Sequence, residues 1–295
     1  MSLRLEMLQV ARLAPTLLGD EASQLVETFV RSQQQQDGGF CGRDGKSDLY
    51  YTSFAIDALT ALQVELPRET LRSFLGSFGE GDSLDFVHLC CLARAWSALE
   101  KNGPPIEAIL THLEEKFRTS SDGGYNQSPG AEFGSCYGCF LAYGAYRDHD
   151  RTPPEATRMI EECLTALAAG EGAWANDRNL PVPNLPATAA AVTLLRNFRA
   201  PIPTHTGDWI LGLAHEQGGF KAFDGAPLPD LLSTAVGLHA LDGIQVSFQN
   251  HVEPFLDFID SLWTAAGGFH GHWNDEELDL EYTYYGLLAL GHLSL

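Results

Sequence analysis

Acidic residues stand at the start of several apolar segments in this 295-residue sequence. A carboxylate at such a position commonly caps a helix by accepting hydrogen bonds from the first backbone N–H groups. If the helix ends surround one cavity, the same carboxylates would favour a metal ion or a carbocation over a bare diphosphate. The sequence leaves both interpretations open for Asp48, Asp85, Glu132, Asp230 and Asp279.

A histidine pair lies in the segment that precedes the last of these acids. His270-Gly271-His272 could supply two imidazoles to zinc if the backbone is extended, beside Asp279 and facing Asp230. Exposed loop histidines are the alternative interpretation. The sequence therefore gives Asp230, His270 and His272 as candidate metal ligands.

The elements that must position these residues follow from a repeated phrase. A Gly-Gly-aromatic turn is followed by a short acidic loop and an apolar helix, in about six units of ~40–50 residues, as in modular repeat proteins. The most divergent copies are Gly79-Glu80-Gly81 and Gly172-Ala173-Trp174. The clear copies are Asp37-Gly38-Gly39-Phe40, Asp122-Gly123-Gly124-Tyr125, Gly218-Gly219-Phe220 and Gly267-Gly268-Phe269.

Each unit carries two predicted helices, and strand patterns are nearly absent. Helices that are apolar on all sides belong inside the protein, and amphipathic helices belong on its surface. The alternation predicts an all-α fold, a closed (α/α)6 barrel that forms a single domain over 1–295. The predicted inner helices are 48–62, 83–99, 132–146, 185–198, 230–244 and 279–295. The predicted outer helices are 21–33, 68–78, 105–117, 154–168, 206–215 and 253–263.

Inner helices in such a barrel run parallel, so their N-termini meet at one end beside the Gly-Gly turns. The helix dipoles would create a positive field there. Aromatic rings near these helix starts could line a cavity or fill the core. Tyr51, Tyr137 and Tyr285 are the candidates for substrate binding. The full set of rings is Tyr50, Tyr51, Phe86, Tyr137, Tyr284 and Tyr285.

Composition excludes some classes of function. The formal charge of −21 disfavours nucleic acid as a partner, because a phosphate backbone requires a basic surface. No apolar run is long enough for a membrane span, and the first residues are too polar for a secretory signal. Cys136 and Cys139 have metal or redox spacing, but without a second pair they are interpreted as buried structural thiols. These features predict a cytoplasmic protein.

Two of the units carry a family resemblance. Gly-Gly-Phe…Asp-Leu-Tyr-Tyr-Thr at 38–52 and Gly-Gly-Phe…Asp-Leu-Glu-Tyr-Thr at 267–283 resemble the prenyltransferase repeat. Residues 20–295 resemble the β subunit of protein prenyltransferases, especially the Rab geranylgeranyl type. The resemblance implies a catalytic zinc, a prenyl diphosphate substrate and a helical-repeat α subunit. A homo-oligomer is the alternative assembly.

The zinc ligands that this resemblance implies are largely replaced. The family's Asp-x-Cys window reads Asp230-Leu231-Leu232, so leucine stands at the cysteine position. Tyr282 stands where the family has its histidine. Of the three ligands only Asp230 remains, so zinc is possible but the family's site is degenerate. Lys221 is the one cation in the loop that holds the family's diphosphate-binding residues.

Asp279-Leu280-Glu281-Tyr282-Thr283 is also similar to a degraded Asp-x-Asp-Asp-Thr motif of class II terpene cyclases. There Glu281 would take the place of the acid that protonates an alkene. Such an acid needs a raised pKa, and a second carboxylate, Asp279, could hold it in place.

The sequence thus gives three hypotheses for function. The first is a protein like the prenyltransferase β subunit that binds or transfers a long, geranylgeranyl-type diphosphate. In it Asp230 and Tyr282 stand at positions where the family has zinc ligands. The second is a cyclase-like enzyme that uses Asp279 and Glu281 as its acid pair. The third is a non-catalytic barrel that binds a lipid or a protein.

Overall fold

The computed structural model describes residues 2–103 and 105–295. Its main elements are helical, with two very short antiparallel strand pairs. In chain order the helices are α1 (Leu3–Ala11), α2 (Pro15–Ser32), α3 (Leu49–Ala61), α4 (Arg68–Gly76), α5 (Phe86–Leu99), α6 (Ile106–His112), α7 (Cys136–Asp148), α8 (Ala156–Arg158), α9 (Thr165–Leu167), α10 (Leu185–Asn197), α11 (Thr206–Leu211), α12 (Leu231–Gly243), α13 (Val252–Leu262) and α14 (Leu280–Leu293). The strands are β1 (Phe40–Cys41), β2 (Ser47–Asp48), β3 (Phe220–Lys221) and β4 (Pro229–Asp230).

The helices alternate between two kinds, as the sequence pattern indicates. In α12, residues Leu231, Ala235, Leu238 and Leu241 are fully buried, and other faces of the same helix are buried as well. The same holds for α3, α5, α7, α10 and α14. By contrast, α4 and α13 bury one stripe of side chains spaced three or four residues apart, as amphipathic surface helices do.

Four details differ from the sequence prediction. Glu132 lies in a loop, and Ser135 caps α7 instead, because its hydroxyl accepts a hydrogen bond from Gly138 N–H (3.0 Å). The predicted helix over 105–117 ends in a wider π turn, Leu113–Phe117. The predicted helix over 154–168 is interrupted by a second π turn, Met159–Leu164. The first helix, α1, was not predicted because its short sequence has little helical periodicity.

The chain forms two compact units. The first contains Phe78–Ile210 with the N-terminal residues up to Arg4, and the second contains Leu5–Ser77 with Leu211–Leu295. In the first unit α7 packs between α5 and α10. In the second unit α14 packs between α3 and α12, so helices from opposite ends of the sequence are neighbours.

A small hairpin precedes each buried helix of the second unit. β1 pairs with β2 and β3 with β4, and the aromatic residue after the Gly-Gly pair lies opposite the helix-capping aspartate: Phe40 opposite Asp48 and Phe220 opposite Asp230. An isolated bridge repeats the arrangement before α14. The hairpin therefore fixes where each capping carboxylate lies.

In three of the Gly-Gly pairs the first glycine is required for a close approach between elements. Gly38, Gly218 and Gly267 all have positive φ, from 92° to 95°. A Cβ on these residues would collide with backbone carbonyl oxygens of the amphipathic helices α4, α13 and α2, respectively. The Gly-Gly turn thus sets the spacing between one repeat and the next.

The cysteine side chains are buried, as the sequence analysis predicts for Cys136 and Cys139. All six cysteines are buried and free, and Cys139 Sγ lies 3.7 Å from Cys163 Sγ. Within the described part of the chain, no helix combines the length and apolar character needed to cross a membrane.

Candidate functional site

Three helix N-termini of the second unit come together and bring their capping carboxylates with them. Asp48 caps α3, Asp230 caps α12 and Asp279 caps α14, each by accepting a backbone N–H hydrogen bond from the first turn. The backbone N–H of Leu231 donates to the carbonyl of Gly271 (2.8 Å), which joins the start of α12 to the loop before α14. All three acids therefore cap helices. Because the three helix starts lie together, the acids also lie in one region.

Arg43 ties this region together. Its Nη1 and Nη2 donate to the two carboxylate oxygens of Asp275 (3.0 and 2.7 Å), and its Nε donates to Asp279 Oδ2 (2.8 Å). The guanidinium also lies 5.7 Å from the centre of the Tyr282 ring. Hydrogen bonding to Asp275 raises the pKa of Arg43, burial lowers it and Asp279 raises it further. A fixed positive charge therefore neutralises carboxylates from the last loop and helix.

Glu281 lies in the first turn of α14, and its surroundings shift the pKa of its carboxyl group strongly. Burial raises its pKa, the hydroxyl of Tyr50 lowers it by donating to Oε1 (2.7 Å), and the charge of Asp279 raises it again. The outcome is a pKa of about 7. At neutral pH the group is therefore divided between its acid and carboxylate forms.

Asp279 acts on Glu281 as a charge. Its Oδ1 accepts from the backbone N–H of Tyr282 (2.8 Å) and its Oδ2 accepts from Arg43, while only 3% of its side chain is exposed. The sequence analysis expects Asp279 to hold Glu281 in place, and the hydrogen bonds show a different arrangement. Tyr50 holds the acid, and Asp279 is held by Arg43 and its own helix.

Tyrosine and phenylalanine rings extend from this acid along α3 and α14. The ring of Tyr50 meets Phe54 edge-on at 5.0 Å, and Phe54 lies 5.6 Å from Tyr285 and 5.8 Å from Tyr284. Burial, reinforced by the nearby carboxylates, raises the pKa of Tyr51 to about 12. Its hydroxyl therefore stays protonated at neutral pH.

Tyr282 lies close to the other groups of the site. Burial raises its pKa to about 12, with further contributions from the charges of Glu281 and Asp230. Its ring covers Gly271 so closely that a side chain at that glycine would collide with it. The same relation holds between Gly42 and Tyr51 in the first hairpin. The loops that enter α3 and α14 are thus built alike.

The residues present do not fit a zinc ion. Asp230 Oδ1 and Oδ2 accept hydrogen bonds from the backbone N–H and hydroxyl of Ser233, both at 2.7 Å, and burial raises the pKa of Asp230 despite them. His272 is close enough to lower that pKa, whereas His270 Nδ1 lies 3.0 Å from the carbonyl oxygen of Glu277. Among the residues that the structure describes, no group of three or more His, Cys, Asp or Glu is placed to hold a metal. The expected set of Asp230, His270 and His272 is therefore not assembled.

Lys221 and Tyr137 are two further residues that the sequence predicts to bind substrate. Lys221 is half-buried on β3, opposite Pro229 and therefore beside Asp230 across the hairpin. Tyr137 belongs to the first unit, where its backbone N–H donates to Asn176 Oδ1 (3.1 Å). Their roles toward a substrate remain predictions.

The sequence interpretation missed Arg43 and the hydrogen-bonding role of Tyr50. A signal for Arg43 was available, because Phe40-Cys41-Gly42-Arg43 aligns with Phe269-His270-Gly271-His272 when the repeats are superposed. A cation in the first loop therefore occupies the position equivalent to His272. No comparable signal indicates that Tyr50 would contact Glu281.

The raised pKa of Glu281 predicts a pH dependence of stability. Between about pH 4.5 and 7 the unfolded chain loses this proton while the folded protein keeps it, so the free energy of unfolding falls as pH rises, by about 3 kcal/mol in all. Urea denaturation of wild type and Glu281→Gln at a series of pH values would measure this. The stability advantage of Glu281→Gln should grow through that range and then level off. A constant difference would contradict the pKa.

These buried and amphipathic helix pairs, linked by Gly-Gly hairpins, define an all-α protein of the alpha-alpha toroid class. The family model for the prenyltransferase alpha-alpha toroid domain matches residues 5–146 and 187–294, and the chain belongs to this family. The predicted fold class and family are thereby confirmed, while the number of six repeats stays a prediction.

Solved structures with a similar fold come from both branches of the expected resemblance. A Candida albicans protein geranylgeranyltransferase-I complexed with GGPP has a TM-score of 0.64 at 13% identity, covering 92% of this chain and 90% of that one. A Scytonema type II terpene cyclase in complex with geranylgeranyl dihydroxybenzoate has a TM-score of 0.59 at 12% identity, covering 99% and 98%. A protein from Actinoplanes has a TM-score of 0.62 at 15% identity, covering 94% and 100%. No curated protein matches the chain.

Proposed function

We propose that this protein binds an isoprenoid and starts metal-independent chemistry on it by donating a proton from Glu281. The observation that carries the proposal is the environment of Glu281, a partly buried carboxyl group with a pKa of about 7 that a tyrosine hydroxyl orients. A carboxylic acid that remains partly protonated at neutral pH can serve as a general acid. This is the second of the three functions that the sequence suggested.

The reaction class follows from the groups around the acid. Glu281 would transfer its proton to the terminal alkene of the isoprenoid, so that a C–H bond forms and a tertiary carbocation develops on the neighbouring carbon. An internal double bond would then supply the electron pair for a new C–C bond. The product cation then loses one proton to solvent, and Glu281 takes up one proton from solvent to return to its acid form, so the net change is an isomerisation. The rings of Tyr50, Phe54 and Tyr285 offer faces that stabilise the cation.

The substrate class is supported by the similar proteins. The geranylgeranyltransferase structure contains GGPP, and the terpene cyclase structure contains a geranylgeranyl compound. We therefore expect a long prenyl chain of geranylgeranyl type. The first hypothesis, transfer of such a chain from its diphosphate, would instead use Lys221 as an anion contact. We also propose that the protein pairs with a helical-repeat α subunit or with a second copy of itself. Its proposed location is the cytoplasm.

The proposal is tested with geranylgeranyl diphosphate and with geranylgeraniol, each incubated with the purified protein in the presence and absence of EDTA. We expect a cyclised isomer of unchanged mass, detected by gas chromatography and mass spectrometry, whose yield does not depend on EDTA. Glu281→Gln should lower the rate about 100-fold or more, because it removes a general acid. Glu276→Gln, an exposed change in the preceding loop, is the matched control and should keep full activity.

Other results would favour the other hypotheses. EDTA-sensitive release of diphosphate that Glu281→Gln leaves unchanged would indicate prenyl transfer. If both compounds raise the melting temperature and neither is converted, the protein is a non-catalytic binding barrel.

A further inference from the structure

We infer that Tyr50 is the positioning residue of this site, fixing which oxygen of Glu281 carries the proton and how readily that proton leaves. The inference rests on the acid role proposed for Glu281. It concerns a contact between α3 and α14 that joins residues 231 positions apart in the sequence.

The direction of the hydrogen bond assigns the proton. A tyrosine hydroxyl at neutral pH is protonated, and here Tyr50 donates to Glu281 Oε1 over 2.7 Å. Oε1 therefore serves as the accepting, carbonyl oxygen of the neutral carboxylic acid. The acidic proton then resides on Oε2, the oxygen from which it would pass to a substrate.

The tyrosine is itself firmly held, so its hydroxyl has a defined position. Its backbone N–H donates to Asp48 Oδ1 (2.7 Å), the capping residue of α3. Its ring contacts Phe54 edge-on at 5.0 Å and Tyr51 at 5.5 Å. The hydroxyl is thus fixed by the helix cap at one end of the residue and by ring packing along its side chain.

The hydrogen bond also acts during proton transfer. As the proton leaves Oε2, negative charge develops over both carboxylate oxygens, and a hydrogen bond to a charged acceptor is stronger than one to a neutral acceptor. Tyr50 therefore stabilises Glu281 more after the proton has left than before. Burial and the charge of Asp279 oppose ionisation, so Tyr50 and Arg43 are the groups that make Glu281 a stronger acid than burial alone would allow.

The test is Tyr50→Phe, which removes only the hydroxyl and keeps the ring contacts. Titration of the Glu281 carboxyl band by infrared difference spectroscopy, with Glu281→Gln as the blank, should show its pKa shifted upward. Turnover should fall at least about tenfold, the low end of the range for one hydrogen bond to a charged group, with KM nearly unchanged. The pH–rate profile should shift upward with the titration. Tyr143→Phe, the same change on a buried tyrosine of α7, should leave both measurements unchanged.

The possible outcomes separate the inference from the function on which it rests. If Tyr50→Phe is folded by circular dichroism and titrates like wild type, the inference is wrong. If the titration shifts while wild type converts neither isoprenoid, the positioning role of Tyr50 toward Glu281 stands and the proposed function fails. If wild type is active and Tyr50→Phe lowers turnover without moving the pH profile, Tyr50 acts only through packing.

Discussion

Replacing Arg43 with methionine is expected to lower the free energy of unfolding by about 3 kcal/mol, the low end of the range for removing one partner of a buried ion pair. The guanidinium side chain is 33% exposed, but its partners are not, since Asp275 and Asp279 expose 9% and 3% of their side chains. The substitution would leave two buried carboxylates without their cation. Urea denaturation at pH 7 measures the effect.

Two comparisons make this prediction specific. Arg31→Met removes an exposed pair with Glu27 and should cost less than about 1 kcal/mol. Adding Asp279→Asn to Arg43→Met should recover part of the loss, because asparagine still caps α14 but carries no charge. Equal losses in the two arginine variants would show that the buried pair contributes no more than a surface pair.

Gly218→Ala is expected to destabilise the protein by roughly 4 kcal/mol. A left-handed backbone costs alanine about 1–2 kcal/mol, and the forced overlap adds about 1–3 kcal/mol. At this glycine φ is 95°, and the new Cβ would collide with the carbonyl oxygen of Pro254 at the start of α13. Because that obstacle is backbone, no side chain can rotate away from it. Unfolding measured by circular dichroism is the readout.

Gly225→Ala is the control for backbone conformation alone. Gly225 lies in the loop between β3 and β4 with φ of 86°, and nothing lies within 4 Å of the position that a Cβ would take. Its replacement should cost only about 1–2 kcal/mol. Similar losses for the two variants would mean that the Gly-Gly turn serves the backbone conformation, without setting the distance to the next helix.

Much of the fold could be predicted because its causes are local. Helices such as α12 are apolar around their whole circumference, and the aspartates that cap them immediately precede them in sequence. The π turns at Leu113–Phe117 and Met159–Leu164 could not be predicted, because a π turn and an α-helix share the same apolar spacing over one turn.

The sequence indicated which helix starts lie together, but it did not indicate the hydrogen-bond partners of the residues there. Asp230, Asp279, Glu281 and Tyr282 do converge, because each begins a buried helix of the second unit. Their hydrogen-bond partners were beyond the reach of sequence periodicity. Arg43 reaches Asp279 across 236 positions, and no local pattern encodes such a pair.

The discontinuous second unit has a consequence for synthesis. Its helix α3 is buried against α14. Arg43, in the loop before α3, is hydrogen-bonded to Asp279, the cap of α14, which lies 236 positions later in the sequence. At about 5–20 residues per second, a ribosome needs roughly 10–50 s to make the intervening chain. During that time the apolar surface of α3 has no α14 to cover it. A nascent chain of this protein is therefore an expected client of chaperones that bind hydrophobic segments at the ribosome.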